Sequence, residues 1–393
     1  MTPLLHGIRV LDFGRYIAGP YCAALLAEYG ADVIRIEKRG GSEDRFPAQV
    51  GGGVGALFLQ MNRNKRSMTL DPASIQGREV VARLVRGADV VIANMPAQTL
   101  ASSGLDYATL CGYRSDIVFV TNTAFGPVGP MRDHVGFDGI GQVMSGAVYM
   151  TGQPDEPYRA GANWVDFATA LHCAFGTLAA LMERQRSGKG QMVTGALLAS
   201  AVTVTNATLI EQAVAKPDRV PTGNRGQTSA PADIYRARDG WVLVAVTGQP
   251  LFARWAKLMG EPQWLADPRF ADDDSRGRHG EIISERMARW CAGRSSDEIV
   301  RILGEARIPC APVLSPQQAL DHPQVRALGL LQPTDYPGLP RPAPVAAVPL
   351  WMTETPPVPR QRAPQLGEHT EAILAELGYD AAAVARLRAD AVG

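Results

Sequence analysis

The chain has 393 residues, a length typical of two or three domains. Its 39 basic and 39 acidic side chains give a formal charge of zero, which excludes the basic surface that binders of nucleic acid or anionic membranes use. Hydrophobic residues make up 46% of the chain, enough for a buried core.

The first part of the chain alternates between predicted strands and helices. The chain begins with a β-branched segment and a turn, which are followed by a helix that begins near Pro20 and by a second β-branched segment. This order predicts a βαβ unit, and hence a parallel sheet. The pattern then continues, which predicts an α/β fold of the nucleotide-binding type. The predicted strands are 7–13, 31–37, 88–94 and 116–122, and the predicted helices are 20–26 and 77–86.

The longest predicted helix covers 166–186 and ends at Gly188. Its apolar run contains Asp166 and His172, which favours a core helix over a membrane span. A strand at 191–195 and a helix at 196–214 follow. Beyond residue 221, strands at 232–236 and 241–246 and helices containing Trp255, Trp264 and Trp290 indicate a second, smaller domain. A Pro-rich extended segment at 333–364 and a helical tail at 367–391 complete the chain.

Several kinds of site find no support in the sequence. The five cysteines are scattered and never form C-x-x-C, so we expect neither disulfides nor zinc, and a reducing compartment. The N-terminus has no export signal, which predicts a cytoplasmic protein without a membrane association. The histidines lack metal-binding spacings, and no G-x-S-x-G motif indicates a serine nucleophile.

The first βαβ turn does not favour a dinucleotide. It reads GRYIAGP rather than G-x-G-x-x-G, so NAD binding is not supported. Basic residues cluster near the predicted strand ends instead. They could hold a polyphosphate or form a solvated rim, and the residues alone leave both interpretations open. These residues are Arg35, Lys38, Arg39, Arg63, Lys65 and Arg66.

Asp166 also allows two interpretations. At the start of an apolar helix it could be a simple N-cap. The same position favours an ionised carboxylate, and a partly desolvated carboxylate can attack an acyl group. The local pattern does not choose between capping and catalysis.

Seven segments, in order between residues 7 and 379, carry a family resemblance. They are GIRVLDFGRYIAGPYCAALLAEYGADVIRIEK, NRNKRSMTLD, GLDYATL, GFDGIGQVMSG, RQRSGKGQ, RIPCAPVLS with DHPQVRA, and APQLGEHT with ELGY. With these segments the chain resembles the class III coenzyme A transferases, which also include acyl-CoA racemases and carnitine CoA-transferases.

The resemblance implies an α/β architecture with a Rossmann-like large domain, a parallel sheet and a smaller inserted α+β domain. It places the first part of the large domain at 1–220, the small domain at 221–330, and the Pro-rich strap with the return to the large domain at 331–393. It also implies an interlocked homodimer, in which two subunits thread through each other as linked rings.

The resemblance further implies that Asp166 is the catalytic nucleophile. It would form an aspartyl–acyl anhydride and then an aspartyl-CoA thioester, and no cofactor or metal would be permanently bound. The substrates would be an acyl-CoA thioester and a free carboxylic acid. Main-chain N–H groups of the loop at 223–227, including Gly226, would stabilise the oxyanions.

For coenzyme A, the resemblance implies contacts around the first turn, the second and third strands and the Gly-Phe-Asp motif. These residues are Tyr16, Ala18, Lys38, Leu70, Asn94, Met95, Phe137 and Asp138. The chain departs from the family pattern at Met95-Pro96 and at Ser102 or Ser103, where relatives carry a basic residue. We expect Arg39 or Arg66 to take over part of the phosphate binding.

Two further departures bear on the reaction. Phe137 stands where the racemases have the histidine that moves the α-proton, and Ile17 stands where the oxalate-specific branch has glutamine. Both absences favour transfer of coenzyme A from a succinyl-CoA-type donor to a small dicarboxylic acid. A racemase, an intramolecular CoA-shifting enzyme and a non-catalytic acyl-CoA-binding protein are the alternatives.

Overall fold

A computed structural model describes residues 2–359 and 361–389. The strands, in chain order, are β1 (Arg9–Asp12), β2 (Asp32–Glu37), β3 (Gln49–Gly51), β4 (Val54–Gly55), β5 (Lys65–Thr69), β6 (Val90–Ala93), β7 (Val118–Thr123), β8 (Gly152–Gln153), β9 (Glu156–Pro157), β10 (Met192–Ala196), β11 (Ala232–Arg236), β12 (Trp241–Ala245), β13 (Cys310–Pro312), β14 (Leu331–Thr334) and β15 (Ala343–Ala346).

The helices, in chain order, are α1 (Ala18–Glu28), α2 (Ala56–Met61), α3 (Ile75–Arg86), α4 (Ala97–Ser102), α5 (Tyr107–Tyr113), α6 (Asp138–Met144), α7 (Trp164–Ser187), α8 (Leu197–Ala215), α9 (Gln249–Met259), α10 (Asp273–Arg278), α11 (Gly280–Ala292), α12 (Ser296–Glu305), α13 (Pro316–Asp321), α14 (Pro323–Ala327), α15 (Thr370–Glu376) and α16 (Ala381–Ala389). Short 3₁₀ helices lie at Glu43–Arg45, Pro262–Ala266 and Pro268–Phe270.

The described residues divide into two compact units. The first contains those of 1–145, 160–210 and 327–393, and the second those of 146–159 and 211–326. The first unit therefore draws on three separate stretches of sequence. Residues 146–159, which the sequence did not set apart, belong to the second unit.

The first unit is built on a parallel six-stranded sheet with the order β10-β7-β6-β1-β2-β5. This arrangement confirms the predicted α/β class and parallel sheet. The order reverses between β1 and β6, because β2 follows on one side of β1 while β6 and β7 extend the other. The carboxyl ends of β1 and β6 thus form the switch point at which ligands bind in open α/β sheets.

Alternate residues of these strands pack on opposite faces of the sheet, as the period of a strand requires. Val10, Val33 and Val118 face one cluster, which contains α1 and α7. Leu11, Ile34 and Phe119 face the other, which contains α3, α5 and the C-terminal helices α15 and α16. The sheet is therefore buried on both sides, as is usual for a parallel sheet.

The second unit contains the antiparallel sheet β11-β12-β13 with helices α9, α11 and α12. Its core surrounds the fully buried Trp255, against which Phe252 and Met287 pack. Trp255 and Trp290 lie in helices as predicted, whereas Trp264 lies in a 3₁₀ helix.

The long apolar helix α7 begins at Trp164 and ends at Gly188, whose φ of 72° gives the left-handed cap that glycine favours. Two described helices, α7 and α8, are long and apolar enough to cross a membrane by length and composition alone. In the most apolar 18-residue segment of each helix, 44% of the residues of α7 and 17% of those of α8 are buried. Core helices of globular proteins meet the same criterion, and α7 packs against α1 and the sheet.

Candidate active site

Asp166 lies in the first turn of α7, two residues after the helix begins. The N-cap is Asn163, so the interpretation of Asp166 as the capping residue is wrong. Its main-chain N–H, one of the four that a helix start leaves without an intrahelical partner, donates to Asp138 Oδ2 at 3.0 Å. The Asp166 carboxylate is thereby left available for chemistry.

Asp138 is the first residue of α6 and is 4% exposed. Its Oδ1 accepts a hydrogen bond of 2.5 Å from Gln142 Nε2, one turn further along the same helix. Since Oδ2 accepts from Asp166, each carboxylate oxygen of Asp138 has an N–H donor. Asp138 therefore connects the starts of α6 and α7.

Two effects act on the acidity of Asp166. Burial disfavours its charged form, and the neighbouring charge of Asp138 does the same, so together they raise its pKa to about 7. A carboxylate this basic is a better nucleophile than an ordinary one, and it is partly ionised at neutral pH. Strongly shifted carboxylates of this kind are characteristic of catalytic sites.

The turn after β1 is fixed from two sides. Asn94, which follows β6, accepts from the Arg15 N–H at 2.6 Å and donates to the Arg15 carbonyl at 2.8 Å. The Gly14 N–H donates to Asp12 Oδ1 at 2.8 Å. A Cβ at Gly14 would lie 2.8 Å from that same oxygen, so the turn requires glycine there. The turn is thus already formed at the switch point of the sheet.

Several predicted residues meet at this edge of the sheet. Tyr16, with a φ of +62°, points its ring at the Phe137 ring, edge to face at 5.4 Å between centroids. Phe137 is 65% exposed and directly precedes Asp138. Ala18 shares an apolar cluster with Val165, the neighbour of Asp166. The first turn, the Gly-Phe-Asp motif and the start of α7 therefore form one site.

Other predicted binding residues present different groups. The Lys38 ammonium is exposed and pairs with Glu43 at 2.5 Å, and Arg15 pairs with the same carboxylate at 3.2 Å. Arg39 is exposed as well. The side chains of Leu70 and Met95 are buried in the core of the sheet, so their contacts with a ligand would come from the main chain.

The cluster of six basic residues is not one site. Arg35, Arg63 and Lys65 are buried and paired with Asp44, Glu28 and Asp12 respectively. Arg66 pairs with Asp32 and Glu376. Both interpretations, a polyphosphate site and a solvated rim, are therefore wrong for the three buried residues, whose partners lie 9, 35 and 53 residues away in sequence. Of the six, Lys38 and Arg39 retain exposed charges at the end of β2.

Gly226 lies in the second unit, in a turn closed by main-chain contacts. Its N–H donates to the Ala232 carbonyl at 2.6 Å, and a Cβ there would lie 2.9 Å from the Ala232 Cβ. In this structure the N–H is therefore occupied rather than free to bind an oxyanion. The role that the resemblance gives Gly226 stays a prediction.

Gln142 is the residue that sequence reasoning missed. It is 1% exposed, and its Oε1 accepts from the Ala160 N–H at 2.9 Å. The signal was present, since the Asp138–Gln142 spacing of four residues places both side chains on one helix face. Over residues 2–359 and 361–389, no group of three His, Cys, Asp or Glu residues is arranged to hold a metal.

Comparison with known proteins gives consistent results. The model of CoA-transferase family III matches residues 5–370. A succinyl-CoA:mesaconate CoA-transferase of Haloarcula hispanica is 34% identical over 95% of this chain and 96% of its own length. A formyl-CoA:oxalate CoA-transferase of Rhodopseudomonas palustris is 31% identical over 98% and 96%. The crystal structure of a CaiB/BaiF family protein from Brucella suis is 29% identical, covers 96% of this chain and 100% of its own, and superposes with a TM-score of 0.84.

Proposed function

The chain belongs to CoA-transferase family III and is a CoA-transferase, and on that premise we propose that it moves coenzyme A from succinyl-CoA to a small dicarboxylic acid, with Asp166 as the covalent carrier. The observation that carries the proposal is the Asp138–Asp166 pair at the switch point of the sheet. It supplies a carboxylate that is basic, partly buried and adjacent to the turn that the family uses for coenzyme A.

The reaction proceeds as two exchanges. The Asp166 carboxylate attacks the thioester carbonyl of succinyl-CoA, a C–O bond forms, the C–S bond breaks, and an anhydride and the CoA thiolate result. The thiolate attacks the aspartyl carbonyl of the anhydride and releases succinate, leaving an aspartyl-CoA thioester. The acceptor carboxylate then attacks this thioester, and the released thiolate attacks the acceptor carbonyl to form the new CoA ester and free Asp166. Covalent catalysis of this kind divides one difficult exchange into easier steps.

The chemistry requires no resident cofactor, metal or ATP. Each step replaces one activated carboxylate with another, so the free energy of the thioester is retained throughout. The same residues fit a cytoplasmic enzyme, because coenzyme A thioesters are the substrates and the described cysteines are all free thiols.

We place coenzyme A along the first turn and the ends of β2 and β6. Tyr16, Ala18, Phe137 and Asp138 lie together beside Asp166, and Asn94 fixes the turn. Lys38, with Arg39 next to it, offers charge to the phosphates, and the Glu43 carboxylate that now pairs with Lys38 would be displaced by them. Main-chain atoms of Leu70 and Met95 complete the proposed contacts.

The succinyl-CoA donor and dicarboxylic acceptor rest on two observations. The relative from Haloarcula hispanica is named for succinyl-CoA and mesaconate, a dicarboxylic acid. Ile17 is apolar and buried at the position where the resemblance gives the oxalate branch a glutamine. An acceptor with a short carbon chain suits an apolar neighbour better than oxalate, which consists of two carboxylates alone.

Substrate identity is tested by an acceptor screen. Purified protein is mixed with succinyl-, acetyl- or oxalyl-CoA and with a panel of carboxylic acids, and new CoA esters are identified by mass. We expect succinyl-CoA with a four- or five-carbon dicarboxylic acid to give the fastest transfer. Faster transfer from oxalyl-CoA to formate than from succinyl-CoA to any dicarboxylic acid would contradict the donor assignment, and Ile17→Gln is the matched variant for that position.

The racemase alternative finds no support in the site. Phe137 cannot move a proton, and His134, the nearest histidine in sequence, stacks edge to face on Phe125 instead. Deuterium uptake at the α-carbon of an acyl-CoA in the absence of an acceptor acid would support the racemase alternative. A non-catalytic acyl-CoA-binding protein would bind acyl-CoA without forming any new CoA ester in the screen.

We further propose that the protein is an interlocked homodimer. One face of α7 exposes apolar side chains that are between 37% and 76% accessible, spaced three or four residues apart. An apolar stripe of this kind is expected to be covered by another surface. The residues are Leu171, Phe175, Leu178 and Met182.

Threaded subunits cannot separate without unfolding, so we predict a particle of twice 42.1 kDa at every dilution. Sedimentation from micromolar to nanomolar concentration measures this, with circular dichroism as the check that the chain stays folded. A folded monomer at nanomolar concentration would contradict interlocking. A dimer that dissociates reversibly into folded subunits would contradict it as well, because such subunits meet at an interface without being threaded.

A further inference from the structure

The Glu43 carboxylate holds two cations that come from different strands of the large sheet. Its Oε1 accepts from Nζ of Lys38, the residue directly after β2, at 2.5 Å. Its Oε2 accepts from Nη1 of Arg15, in the turn after β1, at 3.2 Å. In the part of the chain that the structure describes, neither cation pairs with a second carboxylate. One carboxylate therefore bridges the carboxyl ends of two neighbouring strands.

The main chain of Glu43 is held by its neighbours rather than by these two ion pairs. Glu43, Asp44 and Arg45 form a short 3₁₀ helix. Asp44 and Arg45 are 1% and 3% exposed, and each forms an ion pair inside the first unit. The Glu43 side chain, by contrast, is 45% exposed. Its carboxylate can therefore leave the two cations for water at little cost, while the helix stays in place.

Arg15 is also held by its main chain. Asn94 accepts from the Arg15 N–H at 2.6 Å and donates to the Arg15 carbonyl at 2.8 Å. The Arg15 side chain is 40% exposed and reaches from this fixed turn to Glu43. The next residue, Tyr16, contacts Phe137 at the edge of the sheet where we place coenzyme A. The guanidinium therefore extends from the turn on which we place this ligand.

The space that the Glu43 carboxylate fills is suited to a phosphate. Carboxylates and phosphates both present anionic oxygens on a single atom, so an arginine and a lysine that share one can share the other. Ligand phosphates bind beyond the carboxyl ends of the strands in sheets of this type, and coenzyme A carries a pyrophosphate and a 3′-phosphate. Arg15 is not among the residues that the family resemblance implies for coenzyme A.

We infer that Arg15 binds a phosphate of coenzyme A together with Lys38, and that Glu43 occupies the place of this phosphate in the empty protein and competes with it. This assignment rests on the proposed function, because it uses the proposed position of coenzyme A. In the empty site the carboxylate offsets the repulsion between the two cations. Since binding must break both of its ion pairs, Glu43 lowers the affinity for coenzyme A.

Calorimetric titration with free coenzyme A, which has no acyl group to transfer, is the test. Arg15→Gln removes a cation from the phosphate, and we expect the Kd to rise about tenfold, as for the loss of one hydrogen bond to a charged group. Glu43→Gln removes the competitor, and we expect the Kd to fall about threefold, because exposed ion pairs are weak. The two ends of one ion pair should thus change the affinity in opposite directions.

A purely structural ion pair would give a different result. Loss of either partner would then loosen the same segment, and both substitutions would weaken binding. Pantetheine, which lacks phosphates, is the matched ligand, and its Kd, measured at millimolar concentration by ligand-observed NMR, should be the same for both variants and the wild type. Glu305→Gln is the matched variant, since Glu305 forms an exposed ion pair with Arg301 at 2.9 Å, and it should leave the Kd for coenzyme A unchanged.

3′-Dephospho-coenzyme A identifies the phosphate. An effect of Arg15→Gln that persists with this ligand assigns Arg15 to the pyrophosphate, and an effect that is lost assigns it to the 3′-phosphate. Arg15→Ala takes the place of Arg15→Gln if that variant does not fold.

Three results would overturn the inference: an unchanged Kd for coenzyme A in Arg15→Gln, a Kd that rises or stays the same in Glu43→Gln, or equal shifts with pantetheine. Failure of the proposed function is distinguished separately. In that case the wild-type protein would form no new CoA ester with any acid, whatever the two substitutions do to the binding of coenzyme A.

Discussion

Replacing Asp166 with asparagine should abolish CoA transfer, with kcat expected to fall by at least about 10³-fold. An amide is a poor nucleophile and cannot form the anhydride, so both exchanges stop. The fold should be unaffected, because the hydrogen bond that joins α7 to Asp138 comes from the main chain of Asp166 and is retained. Initial rates with succinyl-CoA and the best acceptor measure the loss.

Asp133→Asn is the matched control, since it makes the same chemical change on an exposed side chain that pairs only with Arg132 among the described residues. It should keep nearly full activity. Binding of succinyl-CoA to Asp166→Asn should also persist, because the side chains of Tyr16 and Lys38 are untouched. Residual transfer by Asp166→Asn within tenfold of the wild type would show that another group is the carrier.

Lys65→Met should cause a large loss of stability in the first unit. Lys65 Nζ is fully buried and donates to Asp12 Oδ2 at 2.7 Å, the Pro20 carbonyl at 2.8 Å and Asn62 Oδ1 at 2.9 Å. Methionine has similar volume but no charge, so Asp12 would lose its closest cation inside the protein. Breaking a buried pair in this way lowers the free energy of unfolding by about 3–5 kcal/mol.

Denaturant unfolding at neutral pH and constant protein concentration measures this loss, with Lys38→Met as the matched control. Lys38 loses an exposed ion pair with Glu43, and such pairs contribute about 0–1 kcal/mol. The two substitutions should therefore differ by several-fold in their effect on stability. Equal destabilisation by both would show that the Asp12–Lys65 pair contributes nothing beyond an exposed ion pair.

The Asp12–Lys65 pair also links stability to the site. Although burial raises the pKa of Asp12, the charges of Lys65 and Arg35 lower it overall, so the carboxylate stays ionised. Ionised Asp12 accepts from the Gly14 N–H and so helps to form the turn that Asn94 holds from the other side. Loss of Lys65 should consequently weaken binding of coenzyme A in the fraction that remains folded.

The elements that the sequence predicted well are those with a strong local pattern between clear end signals. β1 and β2 are β-branched segments between turns, and α7 is a long apolar helix with a glycine at its end. Strand β5 was missed because its sequence, KRSMT, has neither β-branched enrichment nor alternation. It is a strand because it pairs with the open edge of β2 and because Lys65, its first residue, forms an ion pair with Asp12 of β1.

Charge partners explain most of the remaining errors. The basic residues near the strand ends resembled a phosphate site because their acidic partners could not be recognised from the sequence. Asp12 lies 53 residues from Lys65, and Glu28 lies 35 residues from Arg63. No local pattern reports such distances. The Asp138–Gln142 contact, by contrast, has a helical spacing and could have been predicted, whereas the 28-residue separation of Asp138 and Asp166 could not.

In the proposed reaction, Asp166 itself becomes acylated and then carries coenzyme A. The most direct measurement is to incubate wild-type protein with succinyl-CoA in the absence of an acceptor, quench with hydroxylamine, and map the peptides by mass. We predict a hydroxamate on Asp166 and none in Asp166→Asn, because hydroxylamine intercepts both the anhydride and the thioester. A hydroxamate on another carboxylate, or none on an enzyme that transfers coenzyme A, would contradict the account.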